Sequence, residues 1–250
     1  MILLFLARVV SAEPLRVLLV EGAVLALADG VRAGPLVEGD DVGLLCPDTT
    51  PRALVGDLTL SADVAAPLGC LVSISGDLTL RAAEPDTVNQ LTALTRIGGT
   101  LKVAGDTGEL DLLYLPALEH VGGLHLSYSR DLVEVDLPSL GRIAGSLVAE
   151  QSPALVALNL AVLEEVDDRV AVEKCARLVT LSLPALGRVG GSLSLEGNRT
   201  LQKVRLGALQ AIERTLRVEK SPALALLALG RLESVGSVEV SEVDALASFG

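Results

Sequence analysis

Val189-Gly-Gly-Ser-Leu-Ser-Leu-Glu-Gly-Asn-Arg-Thr-Leu201 is the stretch on which the fold turns. Within it, Leu193-Ser194-Leu195 alternates apolar and polar side chains, so the two leucines share one face of an extended segment and the serine takes the other. One period earlier stand Val166 and Val170-Ala171-Val172-Glu173, and one period later stand Ile212 and Leu216-Arg217-Val218-Glu219. The branched anchor recurs at Ile74, Ile97, Val121, Ile143, Val166, Val189, Ile212 and Val235, at spacings of 23, 24, 22, 23, 23, 23 and 23. A small-residue pair follows most anchors, as at Gly98-Gly99, Gly122-Gly123 and Gly190-Gly191. Then comes an apolar-x-apolar triplet, such as Leu101-Lys102-Val103 or Leu147-Val148-Ala149.

A few polar residues later the chain reads L-x-x-φ-x-L, where φ is aliphatic, over Leu132 to Leu137, Leu178 to Leu183 and Leu201 to Leu206. Proline follows at Pro116, Pro138 and Pro184 and cannot donate to a ladder, so it marks a strand end. The Gly-Gly pairs read as permissive backbone for a corner. No stretch from 74 to 250 sustains helical periodicity, so the crossover helices of an α/β fold are missing. One such repeat cannot cover its own apolar face, whereas stacked repeats share a continuous core. The expected fold is all-β, a right-handed parallel β-solenoid of about eight coils of 22–24 residues, roughly 40 Å long at about 4.8 Å per coil.

Composition narrows the function classes. The chain has 250 residues, half of them apolar, which is enough for a large core and argues against disorder. Mean hydropathy is +0.53. Even so, no uncharged apolar run reaches the roughly 18 to 20 residues of a spanning helix, so no transmembrane segment is expected. Lys and Arg number 20 against 32 Asp and Glu, a net charge of −12, which disfavours nucleic acid and anionic lipid as partners. Aromatics are 2 % with no Trp, leaving little material for base or sugar stacking.

The arrangement I-G-G-S-L-x-L-x-x-N-x-x-L resembles the receptor L-domain family, found in growth-factor and insulin receptor ectodomains and in repeat-rich surface proteins. Cys70-Leu-Val-Ser-Ile74-Ser-Gly-Asp-Leu-Thr-Leu80 is similar to that family's N-terminal cap, with Gly56-Asp57-Leu58-Thr59-Leu60 as the short strand before it. The likeness covers residues 46–250. It implies an extracellular or cell-surface module that binds a ligand without catalysis, and a cap disulfide between Cys46 and Cys70. From the residues alone, two buried thiols read equally well. The family usually closes its far end with a cap, whereas Val238-Glu239-Val240 and the chain through Gly250 fall within a coil. That pattern reads either as a fragment or as an end covered by another copy or partner, with end-to-end self-association as one form.

Residues 1–45 match nothing in the repeat. Met1 to Ala7 is apolar and Val10-Ser11-Ala12 is small, but no basic segment precedes them, so a leader competes with an edge strand or a wrong start. Val17 to Leu27 reads as one or two further short strands ending at Asp29-Gly30.

Aligning the coils turns positions into columns. Thr107, Ser129, Ser152, Cys175, Asn198 and Ser221 form a small polar ladder at a turn, in which Cys175 stands in for serine. Asn198-Arg199-Thr200 is also a glycosylation sequon. After the first strand come Ser127, Glu150, Glu173, Glu196 and Glu219, and like charges stacked at that spacing cost about 0.8 kcal/mol per pair in water. Gln151, Lys174, Gly197 and Lys220 follow them, so two lysines can offset part of the ridge. This row of glutamates is either a solvated edge or a weak cation or basic-partner site. Glu164, Glu165, Asp167 and Asp168 form a second acidic group that reads as a solvated face. The outward residues of the first strand, Thr79, Lys102, His125, Val148, Ala171, Ser194, Arg217 and Glu239, predict a flat face suited to contact with another surface.

No phosphate-binding loop, G-x-S-x-G elbow or H-E-x-x-H motif occurs, and the only histidines are His120 and His125. No cofactor and no enzymatic activity are therefore expected. The reading is a recognition or scaffold module that binds a protein or glycan through a solenoid face. A structural envelope protein assembling by stacking is the alternative, and a β-helical polysaccharide-active enzyme a remote one.

Overall fold

The computed structural model describes Leu19–Val20, Ala23–Val24, Cys46, Thr49 and residues 51–249 apart from 62–66 and 106–108. It is a parallel β-solenoid of about eight coils, each contributing a rung to a broad sheet of 14 short strands and, from Leu112 onward, a rung to a narrow sheet of seven. Register between rungs is in phase with the repeat: Leu147 pairs with Val170, Val170 with Leu193, and Leu193 with Leu216. On the narrow sheet Val135, Leu158, Leu181, Val204 and Leu227 align in the same way.

This stacking is what the triplets require. Leu193 and Leu195 are fully buried while Ser194 between them is only half covered, as period-2 alternation demands. The branched anchors Ile143, Val166 and Val189 are buried too, as are the narrow-sheet leucines and valines, in one continuous core. Each aliphatic removed from water in this way contributes about 1.5 to 3 kcal/mol, and no coil could bury it alone.

The glycine pairs have a different cause from the one expected. Gly98 and Gly190 both have ordinary backbone angles. A Cβ on Gly190 would lie 2.1 Å from the Asp167 carbonyl oxygen, and one on Gly98 would lie 2.3 Å from that of Ser75. Adjacent coils approach so closely at this corner that there is no room for a side chain. The conformational freedom lies at another corner, where Ala82, Gly105, Tyr128, Gln151, Lys174, Gly197, Lys220 and Glu242 all take positive φ between 49° and 78°. Each coil makes a left-handed step there, directly after the strand.

Among the described residues, the chain departs from β structure in one helical turn, Pro85–Val88, with proline fixing its first residue and Asp86 in the first turn. Cys46 and Cys70 form a disulfide with Cα atoms 5.6 Å apart, joining the segment before Arg52 to the start of strand Leu71–Ile74. Leu19–Val20 and Ala23–Val24 pair antiparallel. The leader-like Val10-Ser11-Ala12, the turn at Asp29-Gly30 and Thr107 of the polar column lie outside the described residues. No described helix is long and apolar enough to cross a membrane.

Candidate functional site

The left-handed corner separates two columns of opposite character. On its far side Ser129, Ser152, Cys175, Asn198 and Ser221 are fully buried. The Ser152 and Asn198 side chains each bond the preceding coil twice. The Ser152 hydroxyl donates to the Leu126 carbonyl at 2.8 Å and accepts from the Ser129 N–H at 3.2 Å. Asn198 Nδ2 donates to the Val172 carbonyl at 2.7 Å, and its Oδ1 accepts from the Cys175 N–H at 3.0 Å. The Cys175 thiol faces the Ala149 carbonyl at 3.4 Å, where burial pushes its pKa up to about 11. A thiol held neutral and enclosed is a poor nucleophile. Asn198, with no exposed surface, leaves no space for a glycan on the folded coil.

On the near side Glu150, Glu173, Glu196 and Glu219 align in register along the edge of the broad sheet. The Ser194 hydroxyl donates to Glu173 at 2.7 Å, and Lys220 bonds Glu196 at 3.2 Å. Lys174 makes no ion pair among the described residues, so the expected compensation by two lysines is carried by Lys220 alone. The carboxylates run in a line instead of converging, and no cluster of three or more His, Cys, Asp or Glu able to hold a metal occurs among the described residues. The cation reading of this ridge therefore has no structural support.

The second acidic group is not a free solvated face. Glu165 is clasped by Arg142 at 3.3 Å and Arg188 at 2.7 Å. Arg142 also bonds Asp167 at 2.8 Å, while Arg188 reaches Glu213 in the next coil. Alternating signs in successive coils make this an ion-pair ladder, with Asp167 and Glu213 holding the two guanidinium groups in their charged form. Such exposed pairs add little individually, but they set lateral charge order.

The broad face itself is indented. A groove of about 420 Å³ lies across three coils. Its floor is Ala171, Ser192 and Ser194, and its rim carries Asp168, Arg169, Glu173, Glu196, Arg214 and Arg217. Small residues in two adjacent coils, with long ones around them, produce the depression. The face is thus not uniformly flat. Val148 and Ala171, outward in the central column, are only 4 % and 2 % exposed. Arg217 pairs with Glu239 at 2.7 Å, and the Ser146 hydroxyl donates to Asp168 at 2.8 Å. Arg169 and Arg214 make no ion pair or side-chain hydrogen bond among the described residues.

At the other end of the same face, Lys102 bonds Asp77, and that contact with the Thr100 N–H outweighs burial and lowers the Asp77 pKa. His125 is pushed below the usual histidine range, first by burial and then by Lys102 and Arg169. Sequence columns drawn only through the strand centre missed Arg169, Ser192, Thr215 and Arg214. The same alignment shifted by two residues, through Asp77, Thr100, Ser146, Arg169, Ser192 and Thr215, would have found three of them.

Comparison with family models, with curated proteins and with solved structures finds no match for this chain.

Proposed function

We propose that this chain is a non-catalytic recognition module of the receptor L-domain type, acting at the cell surface or outside the cell and engaging a protein or glycan partner through its broad-sheet face. The observation that carries this reading is the indentation in that face, which gathers charges of both signs around a floor of small residues. A regular solenoid needs none of this for stability, since its core lies on the other side of the same strands. The rigid stacked scaffold supports the reading too, because it holds the outward columns at fixed spacing.

The test is an array of glycans and surface proteins probed with the labelled chain. Binding is expected, and is expected to be lost on placing bulk on the broad face with Thr79→Arg and Ser194→Arg. Thr180→Arg and Ser182→Arg on the narrow sheet should leave it intact. An array without hits, or hits lost only with the narrow-sheet pair, overturns the proposal. Concentration-dependent polymers in light scattering alongside a silent array would favour the structural envelope reading.

A further inference from the structure

We infer that the groove between Arg169 and Arg214 selects an extended polypeptide segment of a partner protein that carries an acidic and a basic residue four positions apart. This inference rests on the proposed recognition role and specifies the chemistry that would be recognised.

The argument begins with geometry. The strand through the groove presents Arg169, Ala171 and Glu173 on its outward side, and the next strand presents Ser192, Ser194 and Glu196. At about 3.3 Å per residue, positions 169 and 173 stand roughly 13 Å apart along the strand. Arg214 lies two coils above Asp168, about 9.6 Å at the stacking distance. One end of the groove is therefore flanked by two guanidinium groups with no ionic partner among the described residues, which outnumber the one carboxylate there, Asp168, itself the acceptor of the Ser146 hydroxyl. The other end is flanked by Glu173 and Glu196, whose partners are a serine hydroxyl and an exposed lysine. Formal charge around the rim cancels, with Asp168, Glu173 and Glu196 against Arg169, Arg214 and Arg217.

A polar groove with its charges separated in this way is matched by a ligand with the opposite separation. An extended polypeptide has the same pitch as the strand beneath it, so side chains i and i+4 fall over the two charged ends. Side chain i+2 falls over Ala171 and Ser194, into the depression. A saccharide fits less well, because no aromatic ring lines the groove for stacking, and a polyanion meets three carboxylates on the rim. The partner's main chain cannot join a sheet through its face, so recognition comes from the side chains. It should be modest in strength and sensitive to salt.

The experiment is selection of short random peptides displayed on phage against the intact chain at low ionic strength. The expected result is enrichment of peptides with Asp or Glu four residues from Lys or Arg. A synthetic representative should weaken about tenfold or more with Arg169→Ser and Arg214→Ser, and likewise with Glu173→Gln and Glu196→Gln, at unchanged unfolding midpoints. Reversing the cationic end with Arg169→Glu and Arg214→Glu should reselect peptides with a basic residue at both ends. No enrichment, enriched peptides without the spaced pair, or a glycan that competes for the groove each overturn the inference. If array partners are lost with Thr79→Arg and Ser194→Arg but survive all the charge substitutions, this inference fails while the recognition role stands.

Discussion

Two columns of this solenoid are separated by a single residue and behave in opposite ways. Ser152, Cys175 and Asn198 are stacked at the same interval as Glu150, Glu173 and Glu196, yet the first set is fully buried and the second lines the surface. The difference lies in what each side chain offers its neighbours. Hydroxyl and amide groups donate to a carbonyl of the preceding coil and also accept an N–H from that coil, and the thiol faces a carbonyl there, so stacking satisfies them. A carboxylate only accepts, and its copies repel, so it stays where water, Ser194 or Lys220 can reach it. The left-handed residue between them turns one column inward and the other outward.

The sharpest way to break this contrast is to remove the best-connected member of the buried column. Asn198→Ala strips partners from the Cys175 N–H and the Val172 carbonyl, both enclosed, and should cost about 3 kcal/mol at roughly 1 to 3 per orphaned group. Glu196→Ala should cost under about 1 kcal/mol, since its lysine contact is exposed. Urea denaturation of both variants decides the matter: comparable midpoint shifts would mean the columns differ in exposure alone and not in bonding.

Cys175 tests the same contrast at smaller scale. Cys175→Ser keeps a donor toward the Ala149 carbonyl and should change stability by less than about 1 kcal/mol, whereas Cys175→Val leaves that carbonyl bare and should cost about 1 to 2. With its pKa raised to about 11 by burial, the thiol should resist alkylation at pH 8 in the native chain and react only on unfolding. Rapid labelling of the folded protein would show that the ladder opens locally.

Much of this was legible because a solenoid turns sequence spacing directly into spatial neighbours. Serine, cysteine and asparagine at one phase of the repeat, and glutamate two residues before, were visible as columns without coordinates. The left-handed corner was hidden, since Tyr128, Gln151, Lys174 and Lys220 are not residue types that advertise positive φ, and only Gly105 and Gly197 hint at it. The glycine pairs were visible but misread, because the approach of a neighbouring carbonyl leaves no trace in the local sequence. The Arg142–Glu165–Arg188 ladder runs down a single register column that was not among those drawn. The groove had a different obstacle, since it depends on side chains of different columns meeting across coils, which a column-by-column reading does not join.

The hinge between the two columns yields a smaller effect. Gly197→Ala must hold an alanine at φ 71°, worth about 1 to 2 kcal/mol of backbone strain, partly offset by a less flexible unfolded chain. The net expectation is a loss of about 1 kcal/mol, measured by thermal or urea unfolding. The new methyl would also sit 3.2 Å from Lys174 Cγ, a flexible contact that can yield. A loss as large as that of Asn198→Ala would show that the corner, and not the ladder bonding, holds the buried column in place.

The faintest signal belongs to the exposed column. Glu150 and Glu173 face each other in register, and at about 4.8 Å two carboxylates in water repel by roughly 0.8 kcal/mol before screening. Glu150→Gln relieves this, along with no ion pair, because Glu150 has none among the described residues. The variant should therefore be more stable than the parent by a few tenths of a kcal/mol at low salt, and the gain should vanish near 1 M salt, where the screening length falls to about 3 Å. Glu173→Gln relieves two such repulsions, from Glu150 and from Glu196, but weakens the acceptor of the Ser194 hydroxyl, so its gain should differ from that of Glu150→Gln and should likewise vanish near 1 M salt. Equal gains for the two, persisting in high salt, would mean that the ridge is governed by side-chain propensity and that its charges are electrostatically independent.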